Sequence, residues 1–369
     1  MTRLLHLLTL GDPRRLTGGH LYQRRMVEAA PAHGFEVRIV SLAARPPLRR
    51  LLAARAALLA AERDGASAVL LDSIVVACCA PWLDLGRHRV PVVGVVHQPP
   101  GGLDGSRLAR LLLRRLDLEA YRRAALLLVT GEPVARTLLD LGLAPARLRL
   151  VAPGTERREA DARGPDLRLG RRVALLCVAN WHRRKGVLEA LRALGALPPE
   201  YATLHLVGDQ DVEPSYREEV RRLLRRGQLC ERVVVHGVVP PRRLAEIYAA
   251  SDVFLLPSIG EPYGMVYGEA LAAGLPVVGW RSGNLPSLVE SGSQGLLVPP
   301  GDLTALAAAL EALIEDHGLR RSMAERARRR AVGLPTWEQS AAAFFSAVGE
   351  ALAQAGGAAG LREPLRSSE

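Results

Sequence analysis

The sequence predicts an α/β protein of two doubly wound domains facing a cleft. Three observations predict it. Short Val/Leu runs bounded by turn residues alternate with amphipathic stretches. That rhythm stops once, at a polar stretch, and then restarts. At 369 residues the chain also exceeds one ordinary core. Continuous apolar runs mark strands buried on both faces, hence parallel sheets, whose ligands gather at the carboxyl ends of the strands.

In the first half the runs are Leu4–Leu10, Glu36–Leu42, Ala68–Asp72, Pro91–His97, Leu126–Thr130 and Leu148–Val151, with helical patterns between them. Thr155–Gly170 is polar, contains Gly164-Pro165 and reads as a linker. After it come Val173–Ala179, Thr203–Gly208, Val233–His236, Val253–Pro257, Pro276–Trp280 and Gly295–Val298. The expected domains are 1–156 and 171–336. A last amphipathic helix, Trp337–Leu352, is expected to pack back on the first domain. The Gly/Ala/Ser tail 356–369 is expected to be disordered.

Hydrophobic residues are 49% and charged residues 24%, as in a folded globular protein. The start reads directly into a strand, so no signal peptide is expected, and no uncharged apolar run reaches the ~20 residues of a membrane span. Cys78, Cys79, Cys177 and Cys230 lack metal-ligand spacing and read as buried free thiols of a cytoplasmic protein. The formal net charge of +11 suits nucleic acid, an anionic membrane surface or a phosphorylated substrate. Nucleic acid is the weakest of these, because the arginines are spread through amphipathic helices without interleaved aromatics.

Lys185 is the only lysine among 49 lysines and arginines. It stands in Asn180-Trp181-His182-Arg183-Arg184-Lys185-Gly186, between an apolar run and a helical pattern. A site needing a compact point charge on a crowded diphosphate would exclude the planar arginine fork; the plain alternative is chance retention at an exposed position. A second signal runs from Glu261 through Pro262-Tyr263-Gly264-Met265-Val266-Tyr267-Gly268 to Glu269, then Ala-Gly-Leu-Pro-Val-Val. Gly264 and its successors would open a helix whose free N–H groups form an anion site. The two carboxylates suit two sets of hydroxyls. The alternative is a helix-capping Glu261 with a solvated Glu269.

With these motifs the chain resembles the retaining, nucleotide-sugar-dependent glycosyltransferases of family four, which have two Rossmann-like domains in the GT-B arrangement. Besides the Glu261–Glu269 motif and Arg184-Lys185-Gly186, the resemblance rests on Gly18-Gly19 with His33-Gly34-Phe35-Glu36-Val37, and on Leu150-Val151-Ala152-Pro153-Gly154-Thr155. It covers almost the full length. It implies a bacterial-like hexosyltransferase, with an acceptor-side first domain and a second domain that binds a UDP- or GDP-sugar. Lys185 and a nearby basic residue would hold the diphosphate, Glu261 the transferred sugar and Glu269 the ribose. The amides of Tyr263, Gly264 and Met265 would lie against sugar and phosphate. His97 would face the sugar, Gly18 and Gly19 would belong to the donor site, and the backbone at Val238 would touch the base. The family often has an arginine five or six residues before the lysine. Here Asn180 and Ala179 stand there, so either Arg183 or Arg184 substitutes, or the leaving group is neutralised differently.

No aspartate cluster suits a divalent metal, so metal independence is expected, with no cofactor beyond the donor. The acceptor would be a glycan, a lipid-linked sugar or a small molecule. The alternatives are a catalytically silent nucleotide-sugar-binding scaffold and an epimerase on the same fold. In Arg107–Arg123, Leu108, Leu112 and Leu116 share a helical face flanked by arginines. Such a helix suits a peripheral position on an anionic membrane. The other reading packs those leucines on the first domain's sheet.

Overall fold

The computed structural model describes residues 2–12, 17–42, 46–84, 90–156 and 165–360. The chain divides into two compact units, Met1–Gly154 with Trp337–Glu369, and Thr155–Thr336.

In unit 1 the order is β1 (Arg3–Leu10), α1 (Gly18–Ala29), β2 (Phe35–Leu42), α2 (Pro47–Arg63), β3 (Ala68–Asp72), α3 (Val76–Asp84), β4 (Val92–Val96), α4 (Arg107–Arg123), β5 (Leu126–Val129), α5 (Glu132–Asp140) and β6 (Leu148–Leu150). The strands form a parallel sheet ordered β2-β1-β3-β4-β5-β6. Successive side chains of a strand point to opposite faces, and here both faces are covered. Leu70, Val93, Val95 and Leu128 enter the core under α1. Val69, Leu71, Val96 and Leu127 enter the core under α2 to α5. In the interior strands β3, β4 and β5 this two-sided burial is why the runs are continuously apolar up to their ends.

Unit 2 runs β7 (Val173–Val178), α6 (Val187–Gly195), β8 (Ala202–Val207), α7 (Pro214–Leu224), α8 (Leu229–Arg232), β9 (Val233–Gly237), α9 (Pro241–Ala250), β10 (Val253–Leu255), α10 (Met265–Ala272), β11 (Val277–Trp280), α11 (Leu285–Leu288), β12 (Gly295–Val298), α12 (Leu303–Glu315) and α13 (His317–Val332). Its parallel sheet is ordered β12-β11-β10-β7-β8-β9. The order reverses between β10 and β7, the switch point where a doubly wound sheet opens a crevice at its carboxyl edge.

The last helix, α14 (Trp337–Gly360), belongs to unit 1. Phe344 and Phe345 pack on Tyr22 and Phe35, and Ser340 Oγ donates to the Ala152 carbonyl at 2.7 Å. The helix passes the expected end at Leu352: Ala353, Gln354 and Ala355 favour its continuation, whereas Gly356, Gly357 and Gly360 do not. The expected disordered tail therefore fails for 356–360; residues 361–369 lie outside those described.

Two other expectations change. The stretch read as a linker is partly built into unit 2. Leu167 is buried, Arg168 forms a two-pronged pair with Asp252 at 3.0 and 2.7 Å, and the Thr155 N–H bonds to the Pro335 carbonyl. Residues 157–164 lie outside the described segments. Cys79 and Cys177 are buried and Cys78 is half-buried, but Cys230 is exposed. One-turn α8 turns Leu229 inward and so leaves its neighbour Cys230 facing water.

Burial holds His6, His97, His205 and His236 below the ordinary imidazole value of 6.5. The last two form a neutral-type pair, His205 Nδ1 to His236 Nε2 at 2.9 Å, with His205 Nε2 at 2.8 Å from the Leu167 carbonyl. Below 6.5 the unfolded chain takes up protons that these native rings refuse, so stability must fall as pH falls. The urea midpoint is expected to be flat above neutrality and to drop on acidification from about pH 6.5. Replacing His205 and His236 together by glutamine should flatten that slope. A wild-type midpoint unchanged down to about pH 5 would remove the assignment.

Candidate active site

In unit 2 the site is assembled from the carboxyl ends of β7 and β10, the two strands at the switch point. After β7 the chain turns through Ala179-Asn180 and a short 3₁₀ turn, Arg183–Lys185, to Gly186. After β10 it turns through Pro257-Ser258 to Glu261. The loops lock together: the Ile259 N–H donates to the Arg184 carbonyl at 2.8 Å, and Ser258 Oγ lies 3.1 Å from that same carbonyl. Gly186 has φ 72°, and a Cβ there would stand 2.1 Å from the Pro257 carbonyl oxygen. Only glycine permits so close an approach.

This contact brings Lys185 to Glu261, 76 residues away, as an ion pair between Nζ and Oε2. Both side chains are largely buried, at 18% and 11% exposure. Burial pushes the Glu261 carboxyl up, but the charges of Lys185 and Arg184 and hydrogen bonds from Lys185 and Ser258 outweigh it and hold the group below its usual value. Glu261 is therefore ionised at neutral pH, and the ammonium is held at the carboxyl edge of the sheet.

Gly264 caps α10 in the left-handed conformation, φ 82° and ψ 58°, with no side-chain cap. A Cβ there would meet the Tyr267 ring at 2.4 Å. The helix thus opens at Met265 with no side-chain cap, the Tyr267 N–H being taken by the Gly264 carbonyl at 2.9 Å, and such an opening attracts anions. Asn284 fixes the approach to it: its N–H donates to the Glu261 carbonyl at 2.8 Å and its Nδ2 to the Tyr263 carbonyl at 3.0 Å. Burial raises the Tyr263 phenol to about 12, so it stays neutral. Glu269 is half-buried, one turn into α10.

In unit 1 a second polar cluster occupies the carboxyl edge, at the ends of β1, β3 and β4. Asp72 is buried and accepts from Thr9 Oγ1 at 2.8 Å and from Gln23 Nε2. Ser73 Oγ lies 3.3 Å from Asp72 Oδ1 and accepts the His97 N–H at 3.2 Å. The His97 ring lies edge-on to Tyr22 at 5.1 Å and against Gly19, where a Cβ would sit 3.9 Å from its Cδ2. Burial lowers the His97 imidazole despite the nearby Asp72 carboxylate, and His20 lowers it further. The ring is neutral at neutral pH. Its buried Nε2 has no hydrogen-bond partner among the described residues.

Two family models cover most of the chain. The one for glycosyltransferase family 4 matches residues 6–159 and the one for glycosyl transferases group 1 matches residues 172–316. The chain belongs to glycosyltransferase family 4. A D-inositol 3-phosphate glycosyltransferase of Acidothermus cellulolyticus is 34% identical over 237 residues, 60% of this chain and 52% of that protein. The chain thus spans about half the length of this curated relative. Among solved structures, sucrose-phosphate synthase from Thermosynechococcus elongatus superposes with a TM-score of 0.81 at 24% identity, covering 95% of this chain and 100% of that one. Anabaena Alr3699/HepE in complex with UDP and glucose superposes at 0.76 with 20% identity, covering 95% and 99%. These likenesses establish the GT-B type of fold.

For this family 4 protein the two basic neighbours of Lys185 part company. Arg183 is 54% exposed, bonds Glu219 on α7 and lies 5.1 Å above the Tyr216 ring. Arg184 is half-buried, and its charge acts on Glu261. The family's usual arginine position is used structurally here: Asn180 Oδ1 accepts the Asp209 N–H at 3.0 Å. Val238 is exposed just after β9 at the sheet's edge. Gly18 and Gly19 open α1, with Thr17 as its cap. Among the described residues no group of three or more His, Cys, Asp or Glu is placed to hold a metal ion.

Sequence reasoning missed Ser258, Asn284, Asp72, Ser73, Thr9 and Gln23. Asp72-Ser73 carried a usable signal, two polar residues closing an otherwise apolar strand in the interior of the unit 1 sheet. Asn284 carried none, because only the return of β11 beside β10 brings it to Glu261.

Proposed function

We propose that this protein is a retaining glycosyltransferase that moves a hexosyl group from a nucleoside diphosphate sugar to an acceptor hydroxyl. The observation that carries the reading is the Lys185–Glu261 pair at the switch point, beside the open N-terminus of α10. Breaking the sugar–phosphate bond puts negative charge on the diphosphate. Lys185, Arg184 and the α10 amides are fixed donors and charges suited to stabilise it where it forms. One such donor is worth about 2.7–4 kcal/mol in comparable sites. On this reading no divalent cation is needed, because the neutralising charge comes from the chain itself.

Glu261 would hold hydroxyls of the transferred sugar and Glu269 those of the ribose. Tyr263, Gly264 and Met265 would offer backbone amides, and the backbone at Val238 would meet the base. In unit 1 the role implied for His97, a contact with the sugar, is supported by its neutral ring and by a buried Nε2 that has no hydrogen-bond partner among the described residues. The neutral imidazole can donate or accept a hydrogen bond there without adding charge. The UDP of the Anabaena structure supports a uridine donor without excluding guanosine.

Calorimetric titration with UDP- and GDP-sugars tests donor binding, and NMR of the product formed with candidate acceptors tests the reaction. The expected product keeps the anomeric configuration of the donor, and a chelator leaves the rate unchanged. Absence of affinity for every nucleotide sugar, an inverted product, or a donor epimerised without acceptor would each overturn the reading. Loss of activity to chelator, restored by manganese or magnesium, would overturn metal independence.

A further inference from the structure

Every residue from 107 to 116 in α4 is exposed. Only the second half of the helix is anchored: Asp117, Ala120 and Tyr121 are buried, and Asp117 accepts the Gly101 N–H at 2.8 Å. The overhanging half displays Leu108, Leu111, Leu112, Leu113 and Leu116, with Leu108 68% and Leu112 60% exposed. The reading in which these leucines pack on the sheet is therefore wrong. The helix buries its C-terminal turns instead and leaves its first three turns in water. The same half carries Arg107, Arg110, Arg114 and Arg115, and no acid.

At 3.6 residues per turn, Leu108, Leu111, Leu112 and Leu116 share one arc, and Arg107, Arg110 and Arg114 lie across from it. Arg115 falls within the leucine arc, where its long stem can carry the charge outward. At the start of α2, Leu48 and Leu52 are likewise exposed, at 70% and 54%. Both helices rise from the carboxyl edge of the unit 1 sheet and pack into the same core below it. Isolated exposed leucines are ordinary, but a contiguous set is not.

The occupant of this face must accept leucines and neutralise arginines. A second copy of the chain does this poorly: a self-complementary contact would bring an all-basic segment near itself. An anionic lipid leaflet does both, with leucines at the acyl boundary and guanidinium groups among phosphates. We propose that residues 107–116 of α4 dock this protein on an anionic membrane leaflet. The loop after His97 leads directly into α4, so docking sets the carboxyl edge of unit 1 beside the leaflet. On the transferase reading, on which this one consequence rests, the acceptor is then lipid-borne.

The test is cosedimentation of the full chain with vesicles of phosphatidylcholine alone or mixed with phosphatidylglycerol. Binding is expected only to the anionic vesicles and should weaken as salt rises. Arg110→Gln with Arg114→Gln should lower the partition coefficient about fivefold per charge. Leu108→Ser with Leu112→Ser should abolish binding, while the melting temperature and lipid-free donor binding stay as in wild type. No binding at low salt would overturn the proposal, as would equal binding to neutral vesicles. So would a dimer by light scattering that Leu112→Ser dissociates. Failure of the wild type to bind any nucleotide sugar would strike the transferase reading and leave docking standing.

Discussion

Lys185→Ala is expected to lower kcat at least about 100-fold, the loss of one electrostatic donor of about 2.7–4 kcal/mol. Lys185→Arg should also be impaired, because the planar fork cannot take the place of an ammonium held between the two loops. From the sequence alone, the alanine variant would be expected to fold as well as wild type. The structure changes that expectation. Lys185 is the ion-pair partner of a buried Glu261, and its removal strands that carboxylate. The penalty should fall below the ~3–5 kcal/mol typical of breaking a fully buried pair, since Arg184 and Ser258 still face Glu261. Adding Glu261→Gln to Lys185→Ala should recover melting temperature but no activity. That double variant separates the two roles in one thermal melt and one rate measurement. Wild-type turnover in Lys185→Arg would refute the point-charge argument.

Glu261→Gln and Glu269→Gln should fail in different ways. Glu261 stands with Lys185 at the switch point, where on the proposed reading charge develops, so its loss should appear in kcat. Hydrogen bonds to a charged group are worth about 1.5–3 kcal/mol, which is roughly 10- to 150-fold. Glu269 lies one turn into α10, and on the proposed reading it holds the ribose, whose contacts change little between ground and transition states. Its loss should therefore raise the donor KM by a similar factor and leave kcat near wild type. Steady-state kinetics with varied donor decide this. Equal losses in kcat and in kcat/KM for both variants would end the division of labour.

The strands were legible because their signal is local. A strand buried on both faces must be apolar throughout, and each of the twelve expected runs overlaps an observed strand. Gly264 was legible because a helix opening after a tight turn favours glycine, and its φ of 82° supplies the reason. Lys185 stood out because composition isolated it. By contrast, the partner of Lys185 was not legible. The motifs marked Lys185 and Glu261 separately, and nothing in their spacing joined them as an ion pair.

Local chemistry thus determined which segments become strands, where the loops carry glycine and acid, and which residues could meet a phosphate. Three things were left to the tertiary structure. Strand order set β7 beside β10 and made Lys185 and Glu261 neighbours. The neighbouring loops assigned Arg184 to Glu261 and Arg183 to Glu219. Packing decided which half of α4 is covered. A helical period shows that leucines share a face, but whether that face meets a core or water depends on how far the helix overhangs the sheet. That is a long-range quantity, because it is fixed by strand pairing and by the Asp117–Gly101 anchor rather than by the leucines themselves.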